Sequence, residues 1–322
     1  MGRAPSNLDR VFVLEMVRVT EAAAIACMPL IGRGDEKAAD AAAVEAMRDA
    51  LNSITIQGTV VIGEGERDEA PMLYIGEKVG RGRGPEVDIA LDPLEGTTIT
   101  ATAGPNALAV LAVSEGGCML NAPDVYMDKI AVGGGLPPGV VDLDNSIAEN
   151  LASLAKAKDC EVADLMACVL DRPRHEKIIA ELRDIGCGIK LIPDGDVAGV
   201  IATTNPDTGI DIYMGSGGAP EGVLAAAALR CTGGQFQGRL LFRNDDERGR
   251  ARRWGIEDLD RKYNLEDLAS GDVIFAATGV TDGSLLEGVH RRGKTFTTES
   301  VVMRSTTGTI RWIKGEHGRN HH

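Results

Sequence analysis

Aromatic side chains are scarce in this chain: Phe, Tyr and Trp together make up 3% of its 322 residues. That shortage argues against a nucleic-acid surface built on base stacking. Positive charge is short as well. Lys and Arg number 34 against 48 Asp and Glu, a formal net charge of −14. Such a surface is a poor non-specific partner for nucleic acid or anionic lipid. No segment reaches membrane-spanning length. The apolar stretch 22–31 is short, holds Pro29 and follows acidic residues, so it does not read as a secretory leader. The six cysteines (Cys27, Cys118, Cys160, Cys168, Cys187, Cys231) form no C-x-x-C pair. Several lie in apolar runs and read as reduced core thiols of a cytoplasmic protein, not as a zinc site or disulfide framework. A G-x-S-x-G elbow and a Walker lysine are also missing, which counts against hydrolase-fold esterases and P-loop nucleotide chemistry.

What is present is size, acid and glycine. The length and a hydrophobic fraction of 43% suffice for two domain-sized units or one large α/β unit. Helix and strand signals alternate, which favours a layered α/β architecture. Helices are predicted over 8–31, 35–54 with Asp35 as N-cap, 146–157, 174–185, 197–202 and 223–230. Strands are predicted over 59–62, 87–91, 107–113, 126–132, 166–170, 188–192 and 210–214, with a terminal hairpin of 296–304 and 309–313. The Gly/Pro stretch 133–139 suggests a boundary near residue 140. It would separate a metal-binding α/β half (1–140) from a second α/β half (141–322) that carries substrate loops and the hairpin.

Acids recur where these elements end. Asp92-Pro93-Leu94-Glu95-Gly96-Thr97 follows an apolar run, and Pro93 cannot continue a strand ladder, so the chain is expected to turn there. Two carboxylates and a hydroxyl at a strand end suit a hard cation held against a phosphate; the competing reading is an acidic turn capping a helix. Glu64 lies in a glycine turn after another strand. Asp40 precedes Val44, Met47, Leu51 and Ile54 on the apolar stripe of a helix, where an acid needs a metal or a buried arginine as partner. Glu221 opens a helix after Gly215-Ser216-Gly217-Gly218. Oxygen-only ligands select Mg²⁺ or Mn²⁺ over zinc, and bound divalent cations would reverse the local field for an anionic substrate. Five separate solvated acids are the alternative. The glycine loop 215–222 also permits a dinucleotide site, but Glu221 would sit beside the pyrophosphate and repel it. Arg172-Pro173-Arg174-His175 stands at a helix start, where two arginines suit a second phosphate; His175 reads as structural. The stretch 243–261 reads as a charged, exposed excursion.

Asp92-Pro93-Leu94-Glu95-Gly96-Thr97 resembles the metal signature of the lithium-sensitive sugar phosphatases, among them the inositol monophosphatases. Further motifs narrow this: Gly32-Arg33-Gly34-Asp35, Gly63-Glu64-Gly65-Glu66, Asp68-Glu69-Ala70-Pro71, Asn121-Ala122-Pro123-Asp124, Arg172-Pro173-Arg174-His175, Pro193-Asp194-Gly195-Asp196 and Gly217-Gly218-Ala219-Pro220-Glu221-Gly222. As a set, covering nearly the whole chain, they resemble class II (GlpX-type) fructose-1,6-bisphosphatases. The resemblance implies an αβαβα sugar-phosphatase sandwich and release of the 1-phosphate of fructose 1,6-bisphosphate in gluconeogenesis. It implies two Mn²⁺ or Mg²⁺ sites, with Asp40 and Glu64 on one ion and Asp92, Glu95 and Glu221 on the other. Thr97 matches the catalytic hydroxyl, and Asp68 is the candidate carboxylate behind it. Glu95, Gly96, Thr97, Tyr126, Arg172, Pro173, Arg174, Asp194, Gly195, Asp196 and Gly218 match substrate contacts. A cytoplasmic homo-oligomer, dimer or tetramer, is expected, with no nucleic-acid or membrane partner. Rival expectations are a sedoheptulose-1,7-bisphosphatase or inositol-phosphate phosphatase, a nicotinamide-dependent oxidoreductase, and a non-catalytic cation-binding protein.

Overall fold

The computed structural model describes Leu8, residues 10–65 and residues 72–318. The chain opens with α1 (Val11–Cys27), which ends in a 3-10 turn, Met28–Leu30, at Pro29. Helix α2 (Glu36–Asn52) starts where expected: the Asp35 side chain accepts the Ala38 N–H at 3.0 Å, satisfying one of the helix's orphan donors. Then come β1 (Gln57–Ile62), β2 (Lys78–Val79), β3 (Glu86–Glu95), the short α3 (Thr97–Thr102) and β4 (Leu108–Glu115). Next follow β5 (Tyr126–Val132), α4 (Ile147–Lys158), β6 (Met166–Leu170), α5 (Glu176–Ile185), β7 (Gly188–Ile192), α6 (Asp196–Ala202) and β8 (Ile212–Gly218). They lead to α7 (Ala219–Thr232), β9 (Gln235–Leu241), α8 (Asp245–Arg253), β10 (Lys262–Asn264) and α9 (Leu265–Leu268). The last strands are β11 (Val273–Gly279), β12 (His290–Arg292), β13 (Thr295–Arg304) and β14 (Thr309–Gly318). This is a mixed α/β chain with two sheets.

The described residues divide into two units. One holds the chain up to Leu120 together with everything from Ser270 on; the other is Asn121–Ala269. The boundary expected near residue 140 is corrected on two counts. Strand β5 pairs with β8 and β9 and so belongs to the second sheet. The terminal hairpin, β13 with β14, joins β11 and through it β4, so it completes the first sheet and not the second.

In the first unit the sheet order is β12-β13-β11-β4-β3-β1-β2, with β14 on β13. Only β1 and β3 run parallel among its described pairings. Helices α1 and α2 pack on each other and on this sheet. Met16, Ala23 and Cys27 of α1 and Val44, Met47 and Leu51 of α2 meet Ile89, Leu91, Leu111 and Ile274 in one core. Each such Leu, Ile or Met contributes about 1.5–3 kcal/mol by leaving water. The 3.6-residue stripe read from α2 is therefore the buried stripe.

In the second unit the order is β10-β9-β5-β8-β6-β7. Alternate residues of β5 face opposite layers. Ile130 and Val132 join Leu151, Leu154 and Leu182 of α4 and α5. Met127 and Lys129 lie under α7, where a Cβ on Gly222 would approach Met127 Sδ at 2.6 Å. Four cysteines, Cys27, Cys168, Cys187 and Cys231, are buried and unbridged, and burial pushes the Cys27 and Cys168 thiols up to about 12, so they are inert at neutral pH. Among the described residues no helix is long and apolar enough to cross a membrane.

Candidate active site

In the first unit, β1 and β3 are parallel neighbours, so their C-terminal ends share one edge of the sheet. Glu64 follows β1, and Asp92 and Glu95 end β3. The expectation that Pro93 stops the ladder is corrected. The pairing with β4 lapses between Asp92 and Glu95 and resumes at Glu95 opposite Leu108. Proline offers no N–H, so the strand passes it as an irregularity. Asp92 Oδ1 accepts the Leu94 N–H at 3.0 Å, which shapes that irregularity. Glu95 is 4% exposed, a charge withdrawn from water. Gly96, at φ 93°, turns the chain into α3, and the first residue of α3 is the half-buried Thr97. No side chain at position 96 could adopt that φ without strain.

The Gly32-Arg33-Gly34-Asp35 motif straps this edge. The Gly32 and Gly34 N–H groups donate to the Thr100 and Ala101 carbonyls of α3, both at 2.9 Å, before Asp35 caps α2. Helix α2 packs against α3, and Asp40 lies half-buried on it. Burial raises the Asp40 carboxyl above its ordinary range, and no hydrogen bond reaches that carboxylate among the described residues. Asp68 lies outside the described residues.

In the second unit, the ends of β6, β7, β8 and β9 and the start of β5 fall at one edge of the sheet, because β6, β7 and β8 run parallel and β5 runs against β8 and β9. Ligand loops in α/β sheets gather outside such carboxyl ends. Arg172 and Arg174 follow β6, Asp194–Asp196 follow β7, Gly218 ends β8 and Tyr126 opens β5 opposite Gly218. His175 braces this edge. Its Nδ1 lies 2.8 Å from the Leu170 carbonyl and its Nε2 accepts the Ser216 N–H at 2.8 Å, which fixes the neutral tautomer with the proton on Nδ1. Burial lowers its pKa in keeping with that role.

The glycine segment before Glu221 is not a loop. Residues 216–218 are paired strand, each opposite a residue of β5, and α7 starts at Ala219 with Pro220 in its first turn. The glycines are there because the neighbours leave no room. A Cβ on Gly217 would stand 2.0 Å from Asp196 Oδ2, and one on Gly218 1.9 Å from Glu221 Oε2. The segment is paired strand, and the Glu221 carboxylate lies against Gly218, where it would repel a pyrophosphate, so the dinucleotide reading of this segment is withdrawn. Below it lies a residue that the sequence reading passed over. Lys129 is 1% exposed, and its Nζ meets Asp196 Oδ2 at 2.6 Å. A lysine inside the strand 126–132, followed by the apolar Ile130, Ala131 and Val132, was the available signal, since lysine is almost never buried unpaired.

The family model for bacterial fructose-1,6-bisphosphatase, glpX-encoded, matches residues 10–317. The chain belongs to the GlpX family of bacterial fructose-1,6-bisphosphatases. It is 49% identical, over 96% of both chains, to fructose-1,6-bisphosphatase 1 class 2 of Escherichia coli K12. It has the same identity and coverage with the class 2 fructose-1,6-bisphosphatase of Shigella flexneri. Among solved structures, an inositol monophosphatase from Anabaena (Nostoc) aligns at 15% identity and a TM-score of 0.32, over 60% of this chain and 70% of that one.

The donors suit the divalent cations expected in this family. Glu221 Oε2 is sealed from solvent and has no hydrogen-bond partner. Burial raises its pKa first and the nearby Asp196 second, against the pull of Lys129. An orphaned carboxylate oxygen of this kind is expensive unless a cation meets it. Among the described residues, however, no three His, Cys, Asp or Glu side chains form a cluster able to hold a metal by themselves.

Proposed function

We propose that this chain hydrolyses fructose 1,6-bisphosphate at its 1-phosphate, consuming one water and giving fructose 6-phosphate and inorganic phosphate. The observation that carries this reading is Glu221, a half-buried acid whose sealed Oε2 has no hydrogen-bond partner, on the loop edge where Tyr126, Arg174 and Gly218 gather. The family match over residues 10–317 supports the substrate class.

The proposed roles are as follows. Asp40, Glu64, Asp92, Glu95 and Glu221 hold Mn²⁺ or Mg²⁺. Bound there, such ions would neutralise the phosphate oxygens and make water more acidic. Thr97 Oγ1, at the half-buried start of α3, positions the attacking water, and Asp68 takes up the proton that the hydroxyl passes on. Gly96 and Glu95 shape the turn against the reacting phosphate. Arg174, with Pro173 and Gly218 beside it, holds the phosphate that stays on the sugar. Arg172, Asp194, Gly195 and Asp196 contact the sugar hydroxyls, and Tyr126 supplies an apolar wall with a phenol. Positioning energy from the distant phosphate is what brings the reacting end into line. The proposal includes a cytoplasmic homo-oligomer, which analytical ultracentrifugation tests.

The deciding experiment is phosphate release across a panel of sugar phosphates with Mn²⁺, Mg²⁺ or excess chelator. Release from fructose 1,6-bisphosphate with added cation, lost in chelator and restored by metal, is expected. Undiminished release in chelator would remove the cation roles. Cleavage of other esters but not of this one would remove the substrate.

A further inference from the structure

We propose that Arg243 is a specificity-determining residue: together with Arg174 it clamps the phosphate that remains on the product, and Arg172 is not the partner in that grip. This rests on the fructose bisphosphate reading above. In sequence the natural pair is Arg172 and Arg174. In the structure they part. Arg172 Nη2 leans 3.8 Å from Asp194 Oδ1. Arg174 turns the other way, donating from Nε and Nη2 to the Ser216 carbonyl at 3.1 and 2.8 Å. Its guanidinium carbon then lies 4.9 Å from the centroid of the Tyr126 ring. A second guanidinium, that of Arg243, lies 5.2 Å from the same centroid. The two cationic carbons are therefore at most about 10 Å apart.

The register explains why this meeting is built in. Tyr126 stands between Gly218 of β8 and Leu241 of β9. Arg243 follows Leu241 by two residues, at the edge where Arg174 and Gly218 already lie. Arg243 is also held in advance of any ligand. Glu247, 2% exposed, takes the Arg243 Nε–H at 2.6 Å and Nη2 at 2.5 Å on Oε1, and the Arg243 backbone N–H at 2.7 Å on Oε2. Asn244 caps α8 by accepting the Glu247 N–H at 2.9 Å, which fixes the acid in turn. The Nη1 of Arg243 and that of Arg174 make no hydrogen bond among the described residues, so each fork keeps a donor arm.

The charges nearby fit an anion. Glu247 is committed to Arg243. Asp124 is the other acid acting on Arg243, and Arg250 Nη2 approaches its carbonyl at 3.4 Å. Two guanidiniums set against one aromatic ring repel each other less when an anion joins them, and their planar forks match phosphate oxygens. A sugar bisphosphate supplies that anion at the end remote from the chemistry.

The test uses the metal-loaded full chain. Arg243→Ala is compared with Arg243→Lys and with Arg243→Ala/Glu247→Gln, the last of which removes the buried charge that the single change would strand. Thermal melts check that each variant is folded. Fructose 6-phosphate, which carries only the retained phosphate, is titrated by calorimetry; steady-state kinetics are run on fructose 1,6-bisphosphate and on fructose 1-phosphate. The expected result is a tenfold or greater loss of fructose 6-phosphate affinity in Arg243→Ala and in the double variant, with Arg243→Lys in between. KM for the bisphosphate should rise by a similar factor, with kcat changed less than threefold and fructose 1-phosphate turnover unaffected. Unchanged fructose 6-phosphate affinity in a folded Arg243 variant, or equal losses on both sugar phosphates, overturns the proposal. If the parent protein binds fructose 6-phosphate through Arg243 but releases no phosphate from the bisphosphate, the catalytic reading fails and the clamp stands.

Discussion

Replacing Lys129 by methionine tests the buried ion pair at the heart of the second unit. The Lys129 side chain has no solvent exposure and Asp196 only 7%, and their charged atoms are 2.6 Å apart. Methionine keeps the aliphatic stem in a slot already lined by Met127 and Gly222, so the packing change should cost less than about 1.5 kcal/mol. What is lost is the cation. Asp196 would remain buried with no cation opposite, near a second acid, Glu221, whose Oε2 is also sealed from solvent. Breaking one side of a buried pair costs about 3–5 kcal/mol, a large part of the roughly 5–15 kcal/mol that holds a protein folded. At about 2–4 °C per kcal/mol for a chain of this size, the metal-free protein should melt about 6–20 °C lower. Lys129→Met/Asp196→Asn removes both charges and should recover about half of that loss, because the stranded carboxylate is gone. The assay is circular dichroism melting of parent, both single variants and the double. If Lys129→Met melts within about 2 °C of the parent, or if the two single losses simply add in the double, the pair is not coupled and the reasoning fails.

Thr97→Val should lower turnover about 10²–10⁴-fold while leaving metal and substrate affinity nearly unchanged; steady-state kinetics with a parallel Mn²⁺ titration separate these, and near-parental turnover would remove Thr97 from the chemistry. Glu221→Gln should weaken Mn²⁺ binding, measured by calorimetry, at least tenfold, yet raise the metal-free melting temperature, because it removes an acid whose sealed Oε2 has no hydrogen-bond partner; a drop in melting temperature would show that Glu221 is satisfied without metal. His175 is held neutral, its pKa below the ordinary 6.5. As pH falls through 6.5 the unfolded chain takes up the proton first, so stability should decline there and level off below the folded pKa, with no effect above 6.5. Urea unfolding from pH 8 to 5 should show a flatter profile for His175→Gln, and an identical slope would contradict the buried neutral assignment.

Much of the fold was legible because its signals are local. The Asp35 cap, the α2 stripe and strand-helix alternation from Met166 to Ala202 follow from hydrogen-bond bookkeeping and periodicity over a few residues. Strand β11 was passed over although Val273–Gly279 is one apolar run. A fully buried central strand lacks the alternation that marks a half-buried one. Strand β9 does alternate, with Phe236 and Leu240 buried, but its glutamines and arginine disguised it. The stretch after it was read as an exposed excursion on charge alone. Glu247 is nonetheless buried against Arg243, a pairing that net composition hides. The sequence motifs named the loops that gather at each sheet edge; which arginine turns towards which neighbour depended on register across strands far apart in the chain.

The first unit is assembled from both ends of the chain. Strand β4 has β11 as its partner on one side, and β11 in turn needs β13. During synthesis, therefore, every strand of the second unit leaves the ribosome while the first sheet is still open at β4. Residues 8–120 must wait, with the apolar edge of β4 uncovered, until the C-terminal strands are made. Nascent chains halted before Val273 should thus be drawn to chaperones and aggregation through the half of the protein synthesised first. The hairpin of β13 and β14, remote in sequence from every proposed ligand, is the last piece of the sheet whose strands β1 and β3 lead into Glu64, Asp92 and Glu95.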